Sequence, residues 1–579
     1  MEVKSIIEKL REKGHIILFI VFVLGVYYNA KYFSRVMWPD METEFLTHDL
    51  PKLVAAIAVG APIFLCRRFS IWYALVVSLF IDVWIIANFI YFRCNGVLIN
   101  SMALSMVGNM EGFWNSVFLF MTPKIDVKPF LVTLLSLLPL IIINDNKFMP
   151  KTFICTVLCL YPLSLCAHHA DAIRGKGYED LSFTYEPSNL CRVFSLTEYS
   201  EYNGKLGPQE MFDVNPERNS VIHLFVDDLR MLRHVKKASE TIDMPLEDER
   251  RLQSLGITKG LEIASKYDDK LVVILVESME CWALSPESMP NLWNFIQTHN
   301  HLRAERMTSQ IKQGASSDGQ MILNTGLLPL KQGAACYVFP NNTYPSLPKL
   351  TDNKSICVLP HGLSVWNQVG MSHAYAYDEN ICMSWDDKEL FDKLNRLVEE
   401  DEYKMIQLIT MSTHANFEAV SPLSDLKLPD DMPVYSQNFL KSFNYVDKYM
   451  GTFLAKIDSS EAFKNVTFVI TGDHIIFPHD KRLEMKEYSM NHNNVYNPES
   501  YVNAIIYSPK IDRTIVISDV TYQMDLYPTL TALLGAGYSN YRGFGVNLLD
   551  SVARANRIIS QDEAFDLSDK ILRSDFFKE

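Results

Sequence analysis

Up to about residue 170 the chain is a series of long apolar stretches separated by short polar ones. From about residue 266 the pattern changes to short β-branched runs alternating with amphipathic segments. Crossing a bilayer as a helix takes roughly 20 mostly apolar residues. Five stretches meet or approach that length: about His15 to Lys31, Leu50 to Cys66, Ile71 to Phe92, Pro129 to Asn144 and Thr152 to His168. They predict five transmembrane helices, with the shorter stretch from Phe113 to Met121 as an interfacial or re-entrant piece. No small-residue cleavage site follows Tyr27 and Tyr28, so the first stretch reads as an anchor. Basic residues beside spans stay cytoplasmic. Lys4, Lys9, Arg11 and Lys13, then Arg67 and Arg68, then Lys147 and Lys151 all fall on one side, against Lys31, Arg35, Arg93 and Lys124 on the other. Everything after residue 170 is thereby expected outside the cytoplasm.

In the second half, four apolar runs each end in an acid, base or metal-type side chain. They are LVVILVE at Glu277, SICVLPH at His361, QLITMSTH at His414, and TFVITGDH at Asp473 and His474. Buried parallel strands read as such continuous runs, and α/β sheets bind ligands at the carboxyl ends of their strands. The five side chains are therefore expected to face one crevice. Between the runs lie helical patterns, such as Ser436 to Lys456 with Phe439, Phe443, Val446 and Phe453 at helical spacing. The expectation is an α/β domain with a largely parallel central sheet. Three parts follow: a transmembrane domain over 1–169, a juxtamembrane connector over 170–265, and a catalytic domain over 266–579.

Composition adds exclusions. The 579 residues are 48% hydrophobic, an average over one membrane part and one soluble part. A net charge of −14 and the lack of a basic block argue against nucleic-acid binding. Of ten cysteines, Cys94, Cys191, Cys281, Cys336, Cys357 and Cys382 would face an oxidising exterior, with pairing that spacing does not reveal.

The segment QGASSDGQ puts two adjacent hydroxyls, Ser316 and Ser317, just before a helical pattern. Such serines serve as helix caps or as nucleophiles favoured by the helix dipole, and each role is open to either residue. Glu277 ends a strand with no other charge for six residues, so it is paired, hydrated or metal-bound. Asp473 with His474 supplies one hard oxygen and one imidazole, a set suited to zinc or manganese. Together these residues point to a metal-activated hydroxyl nucleophile. His414 is expected at the substrate, and His361 shares its strand-end placement.

The residues also carry a family resemblance. In order, ANFIYFR, GNMEGFWNSV, VILVES, QGASSDGQ, VWN, THANF, YVDKYMGTFL, VITGDH, AIIYSP, MDLYPTLTALLG and RGFGVNLL resemble the lipoteichoic acid synthase branch of the alkaline phosphatase and sulfatase superfamily, over nearly the full chain. The resemblance implies a divalent metal, manganese first with magnesium or zinc as alternatives, held by Glu277, Ser316, Asp473 and His474. It implies Ser316 as nucleophile, with His414, His361, Trp366 and Asn367 at the substrate. It further implies a multi-pass enzyme of the bacterial cytoplasmic membrane with its catalytic domain outside. Such an enzyme takes phosphoglycerol from the membrane lipid phosphatidylglycerol, through a phospho-serine, to a glycan or glycolipid acceptor.

Two departures stand out. Ser316 occupies a position where that branch often has Thr. Gln368 follows Trp366 and Asn367 where the lipoteichoic acid enzymes carry an Arg on the glycerophosphate, which opens the head-group identity. A phosphoethanolamine transferase and a sulfatase-like hydrolase or phosphodiesterase are the alternatives. A sulfatase is disfavoured because Ser317, Asp318 and Gly319 replace the C/S-x-P-x-R pattern.

Overall fold

The structure is a computed structural model describing residues 14–37, 49–65, 69–95, 122–143 and 240–578, the last stretch apart from 313, 332, 416, 418, 478 and 493–495. The fifth apolar stretch, the 113–121 piece, the connector up to 239 and Cys191 lie outside the described residues.

The N-terminal part contains α1 (Gly14–Met37), α2 (Leu50–Gly60), α3 (Ser70–Asn95) and α4 (Lys128–Ile143). Among the described residues, two helices are long and apolar enough to cross a membrane, α1 and the Ser70–Ile90 portion of α3. The expectation of five spans is therefore not met by the described helices. The second stretch falls short for a physical reason. After Gly60 it tightens into a 3₁₀ turn at Ala61–Phe64, where Pro62 has no N–H to donate to an α-helical bond. The apolar helix it leaves, Lys52–Phe64, reaches only about 20 Å at ~1.5 Å per residue. The described part of the fourth stretch is a helix of 16 residues. A polar link joins three of these helices: Asn29 Nδ2 donates to Asp82 Oδ1 at 2.8 Å and to the Pro129 carbonyl at 3.3 Å.

The C-terminal part is built on eight strands: β1 (Lys270–Val276), β2 (Leu302–Thr308), β3 (Lys354–Leu359), β4 (Glu379–Cys382), β5 (Tyr403–Ile409), β6 (Val466–Gly472), β7 (Val502–Tyr507) and β8 (Ile515–Tyr522). Their order across the sheet is β4-β3-β5-β1-β6-β7-β2-β8. Every neighbouring pair is parallel except the two made by β7, so the sheet is mixed, with β7 reversed. Because β7 opposes both β6 and β2, β2 and β8 run in the same direction as β1. Seven strands thus end at one edge.

Helices cover both faces, which is why the central strands are apolar without alternation. Leu271, Val273 and Leu275 of β1 face one layer, built from α7 (Ala315–Thr325), α12 (Leu526–Leu534) and α13 (Gln561–Ser574) among others. Val272, Ile274 and Val276 face the other, formed by α6 (Pro290–Thr298), α9 (Asp387–Glu400) and α10 (Val434–Ser459). The helical spacing read in α10 is realised, and Phe439, Phe443, Val446 and Phe453 are fully buried. Three further helices of eight residues or more belong to this part: α5 (Leu246–Ser254), α8 (Gln368–Tyr375) and α11 (His479–His492). α5 packs on the same body, with Leu252 in its core and Arg251 paired to Glu563 at 2.6 Å.

One buried ion pair fixes the turn that follows β8. Asp525 has no solvent exposure and accepts two parallel bonds from Arg557, at 2.8 and 2.5 Å. The Val546 and Tyr522 amides also donate to it. Arg557→Met strands this carboxylate, and a loss of about 3–5 kcal/mol in stability is expected. Thermal unfolding of the purified protein measures it, and a loss under about 1 kcal/mol would mean that the amide donors alone satisfy Asp525.

Candidate active site

The edge where the parallel strands end is the site. Register places Leu275 beside Ile409 and Val276 beside Gly472. Glu277 and Asp473, each one residue past its strand, therefore sit level on adjacent strands. His361 follows β3 and His414 follows β5, so all four apolar runs deliver their terminal residues to neighbouring positions on this edge. β2 ends there too, and its continuation brings in the N-terminus of α7 with Ser316.

Glu277, Asp473 and His474 are 3%, 1% and 4% exposed, and they offer three ligand atoms within 4.8 Å of one another. The Ser316 hydroxyl donates to Glu277 Oε2 at 3.1 Å and lies 3.2 Å from His474 Nε2. That nitrogen is 3.4 Å from Glu277 Oε1 and 3.5 Å from Asp473 Oδ2. His474 Nδ1 faces the Ile475 carbonyl at 3.3 Å, an arrangement that leaves Nε2 directed at the cluster. Asp473 Oδ1 accepts the Ser278 and His474 amides at 2.8 Å each, whereas its Oδ2 is buried without a hydrogen-bond partner.

Glycine and strained backbone let these elements approach. A Cβ on Gly319 of α7 would stand 2.6 Å from the Asp473 carbonyl oxygen, and one on Gly472 would stand 2.2 Å from that of Met279. Ser278, next to Glu277, and Ala315, next to Ser316, have φ of 57° and 42°. Non-glycine residues held there cost on the order of 1–3 kcal/mol each and cluster at functional sites.

The electrostatics follow from burial. Desolvation, then the Glu277 carboxylate, pushes Asp473 up to about 7. For His474 desolvation works downward, but Asp473 and Glu277 outweigh it and raise it to about 10. Burial works to raise Glu277, and the His474 charge more than offsets this, holding the carboxyl below its usual range. The metal-free cluster thus keeps a proton on the imidazole between two acids. An unpartnered buried oxygen, a second carboxylate and an imidazole converging on a hydroxyl fit a divalent cation, which would replace the imidazole proton as counter-charge.

Other expected site residues are placed differently. His414 has its Nδ1 2.7 Å from the Ala415 carbonyl. Burial lowers His361, which also feels the charges of Glu277 and His414. Trp366 packs 6.3 Å from the Tyr337 ring. The Asn367 side chain donates to the Cys336 carbonyl at 2.8 Å and accepts the Gly370 amide at the start of α8. Both have left-handed backbones, with φ of 53° and 45°. Gln368 turns into the core, where it pairs with Gln320 of α7 at 3.0 Å. Neither Arg306 nor Lys312 takes the place of the missing Arg: Arg306 binds the Ser518 carbonyl, and Lys312 lies over the Phe565 ring.

Neither serine caps α7. Ser317 donates backward to the Gly314 carbonyl at 2.8 Å, and Asp318 instead takes the Lys312 and Gly314 amides, at 2.9 Å each. Several supports escaped sequence reasoning. Thr410 receives the Glu277 amide, and Gln523 donates to the Asp473 carbonyl at 2.7 Å. Glu280 is fully buried, accepts the Ile476 and Phe477 amides, and pairs with Arg482 at 2.7 Å. A charge three residues past Glu277 in an apolar loop was the available signal for Glu280. Cys281, Cys336, Cys357 and Cys382 are all free thiols.

The sulfatase family model matches residues 332–536, a segment with His361, His414, Asp473 and His474 inside it and Glu277 and Ser316 before it. The model of the lipoteichoic acid synthase N-terminal domain matches residues 2–209. These similarities, with the site, are those of a sulfatase-like phosphotransferase. A lipoteichoic acid synthase of Staphylococcus saprophyticus is 22% identical over 93% of this chain and 85% of its own length. The crystal structure of the lipoteichoic acid synthase LtaP from Listeria monocytogenes is 17% identical at TM-score 0.44, covering 56% of this chain and 97% of that one. The integral membrane lipooligosaccharide phosphoethanolamine transferase A of Neisseria meningitidis is 11% identical at TM-score 0.47, covering 90% and 95%. The resemblance read from the motifs holds in both parts of the chain.

Cation binding must displace the proton on His474 and the fraction held by Asp473. Affinity for manganese is therefore expected to rise with pH from about 7 toward 10, with between one and two protons released at pH 7. Calorimetry in buffers of different ionisation enthalpy reads this directly, and zero release would remove His474 from the ligand set. Gly319→Ala is expected to push α7 off the Asp473 loop, weakening manganese binding at least tenfold while the protein still unfolds cooperatively.

Proposed function

We propose that the chain is a membrane-anchored, metal-dependent phosphoglycerol transferase. It takes the head group of phosphatidylglycerol and delivers it, outside the bacterial cytoplasmic membrane, to a glycan or glycolipid acceptor. The parts are a multi-pass membrane domain over 1–169, a connector over 170–265 and a catalytic domain over 266–579. One observation carries the reading: the Ser316 hydroxyl, at a helix N-terminus, is held by Glu277 and His474 beside the unpartnered oxygen of Asp473. The relatives' full-length similarity supports the substrate class.

Glu277, Ser316, Asp473 and His474 would hold the cation. When bound it would stabilise the Ser316 alkoxide and the charge on the phosphate, with manganese the first expectation and magnesium or zinc the alternatives. The chain's own residues do the rest. Glu277 Oε2 orients the Ser316 hydroxyl. Ser316 Oγ gives up its proton as it bonds to the lipid phosphorus, the phosphorus–oxygen bond to diacylglycerol breaks, and the departing oxygen takes up one proton to leave as an alcohol. His414, on the next strand end, would contact that phosphate, and His361 would join it. An acceptor hydroxyl then loses its proton as it bonds to the same phosphorus, the phosphorus–Oγ bond breaks, and Ser316 Oγ takes up a proton to regain its hydroxyl. Trp366 and Asn367, in the loop before α8, form the substrate-side wall.

Gln368 favours keeping a second reading. With its amide committed to Gln320, it supplies no cation for the glycerophosphate, so phosphoethanolamine is the alternative head group.

Incubating the protein with phosphatidylglycerol or phosphatidylethanolamine and manganese, followed by mass spectrometry, tests both. The expected result is diacylglycerol and a glycerophosphate adduct on the 314–320 peptide, with both abolished in Ser316→Ala. An ethanolamine phosphate adduct would shift the head group. Diacylglycerol from Ser316→Ala at the wild-type rate would overturn the nucleophile.

A further inference from the structure

Catalysis leaves one buried acid of the N-terminal part unused. Asp82 lies near the middle of the Ser70–Ile90 portion of α3 and has no solvent exposure. Asn29 of α1 and Thr133 of α4 are buried beside it. Of the four polar side-chain atoms on Asp82 and Asn29, only two are matched. Asn29 Nδ2 gives its two hydrogens to Asp82 Oδ1, at 2.8 Å, and to the Pro129 carbonyl, at 3.3 Å. The other two atoms, Asp82 Oδ2 and Asn29 Oδ1, are buried with no hydrogen-bond partner. The Thr133 hydroxyl lies against the same carboxyl without bonding to Oδ2.

Among the described residues, no cation offsets a charge on Asp82. On the helices around it, Lys31 of α1 is paired with Asp49 at 2.5 Å, and Lys128 of α4 lies over the Tyr32 ring at 4.5 Å. Lys52 of α2 is buried and engaged elsewhere, and Asp126, ahead of α4, accepts the Thr122 amide. His15, at the far end of α1, lies about 21 Å from Asn29 at ~1.5 Å per residue. A bare carboxylate is too costly to keep in such surroundings, and the group neutralises instead. A hard metal cation takes about six or more oxygen ligands, and only two free oxygens converge here. A single proton satisfies both. Placed on Oδ2 it makes that atom a donor, Asn29 Oδ1 is the acceptor left over, and the second bond closes a ring with the first.

We propose that Asp82 is a proton-binding site of the N-terminal part. Its carboxyl is protonated at neutral pH and donates from Oδ2 to Asn29 Oδ1, while Asn29 Nδ2 donates to Asp82 Oδ1. This acid–amide ring ties α1 to α3, and the second amide hydrogen ties both to α4 through Pro129. Ionisable groups inside membrane bundles face the interior and mark proton or ion pathways, and the ligand this geometry accepts is the proton. The lipid surroundings rest on the multi-pass reading; the acid–amide pair does not.

Infrared spectroscopy of the full-length protein in phosphatidylglycerol nanodiscs, with isotope-labelled aspartate, reads the proton directly. At about pH 8 the buried acids Asp318, Asp387 and Asp473, each pushed up to about 7, are mostly ionised and leave the spectrum clear. The expected result is a protonated-carboxyl carbonyl band that shifts with the label and is missing from Asp82→Asn. An amide at 82 repeats both bonds of the acid form, so Asp82→Asn should melt within about 2 °C of the wild type. Asp82→Leu strands both Asn29 groups and should melt lower. A spectrum with no band lost in Asp82→Asn would overturn the proposal. So would stabilisation of the wild type by sodium over choline at equal ionic strength that Asp82→Asn lacks, because an ionised carboxyl would then be holding a cation. An Asp82→Asn that melts as low as Asp82→Leu would equally show that the charge is required. Release of the chain from membranes by alkaline carbonate without detergent would sink the multi-pass reading, while the band alone decides the pair.

Discussion

Two carboxylates and an imidazole lie nearly out of solvent at the ends of two adjacent parallel strands, and one oxygen of Asp473 has no donor to satisfy it. Such burial is costly unless each charge is paired, and here the three groups have mainly one another and Ser316. The surrounding architecture holds them at this separation. The register of β1 against β6 sets Glu277 level with Asp473, and Gly319 and Gly472 allow backbones to meet where a methyl would collide. The left-handed residues Ser278 and Ala315 turn the chain sharply on both sides of the cluster. Strain and burial concentrated at one point are what a preorganised site looks like when the group that repays the cost is a cation.

The supporting residues act chiefly through the main chain. Gln523 holds the Asp473 carbonyl, Thr410 takes the Glu277 amide, and Asp318 ties the loop ahead of α7 through two amides. Glu280 and Arg482 brace the stretch after His474 and tie it to the Pro498 and Glu499 carbonyls.

How legible all this was depends on the interaction concerned. The strand ends could be read because a strand buried on both faces must be apolar throughout, so a lone Glu277, His414 or Asp473 at its end is conspicuous. Parallel order then brings such ends together. The reversed β7 was not legible, since a buried antiparallel strand flanked by parallel ones has the same apolar look. The second stretch shows a related limit: apolar length does not reveal that Pro62 tightens it into a 3₁₀ turn. Neither serine is a cap because the helix starts at Ala315 with Gly314 as its N-cap, so both already lie within its first turn. Gln523 and Glu280 act across long separations in sequence, and only the folded register exposes them.

The central claim is that Glu277, Ser316, Asp473 and His474 form one cation site around the nucleophile. The most direct measurement is anomalous diffraction from crystals grown with manganese, collected above and below the manganese edge. The account predicts one dominant peak in contact with Asp473 Oδ2, His474 Nε2, Glu277 and the Ser316 oxygen. Active protein whose manganese peak lies elsewhere, or whose Asp473 Oδ2 touches only water, would contradict it.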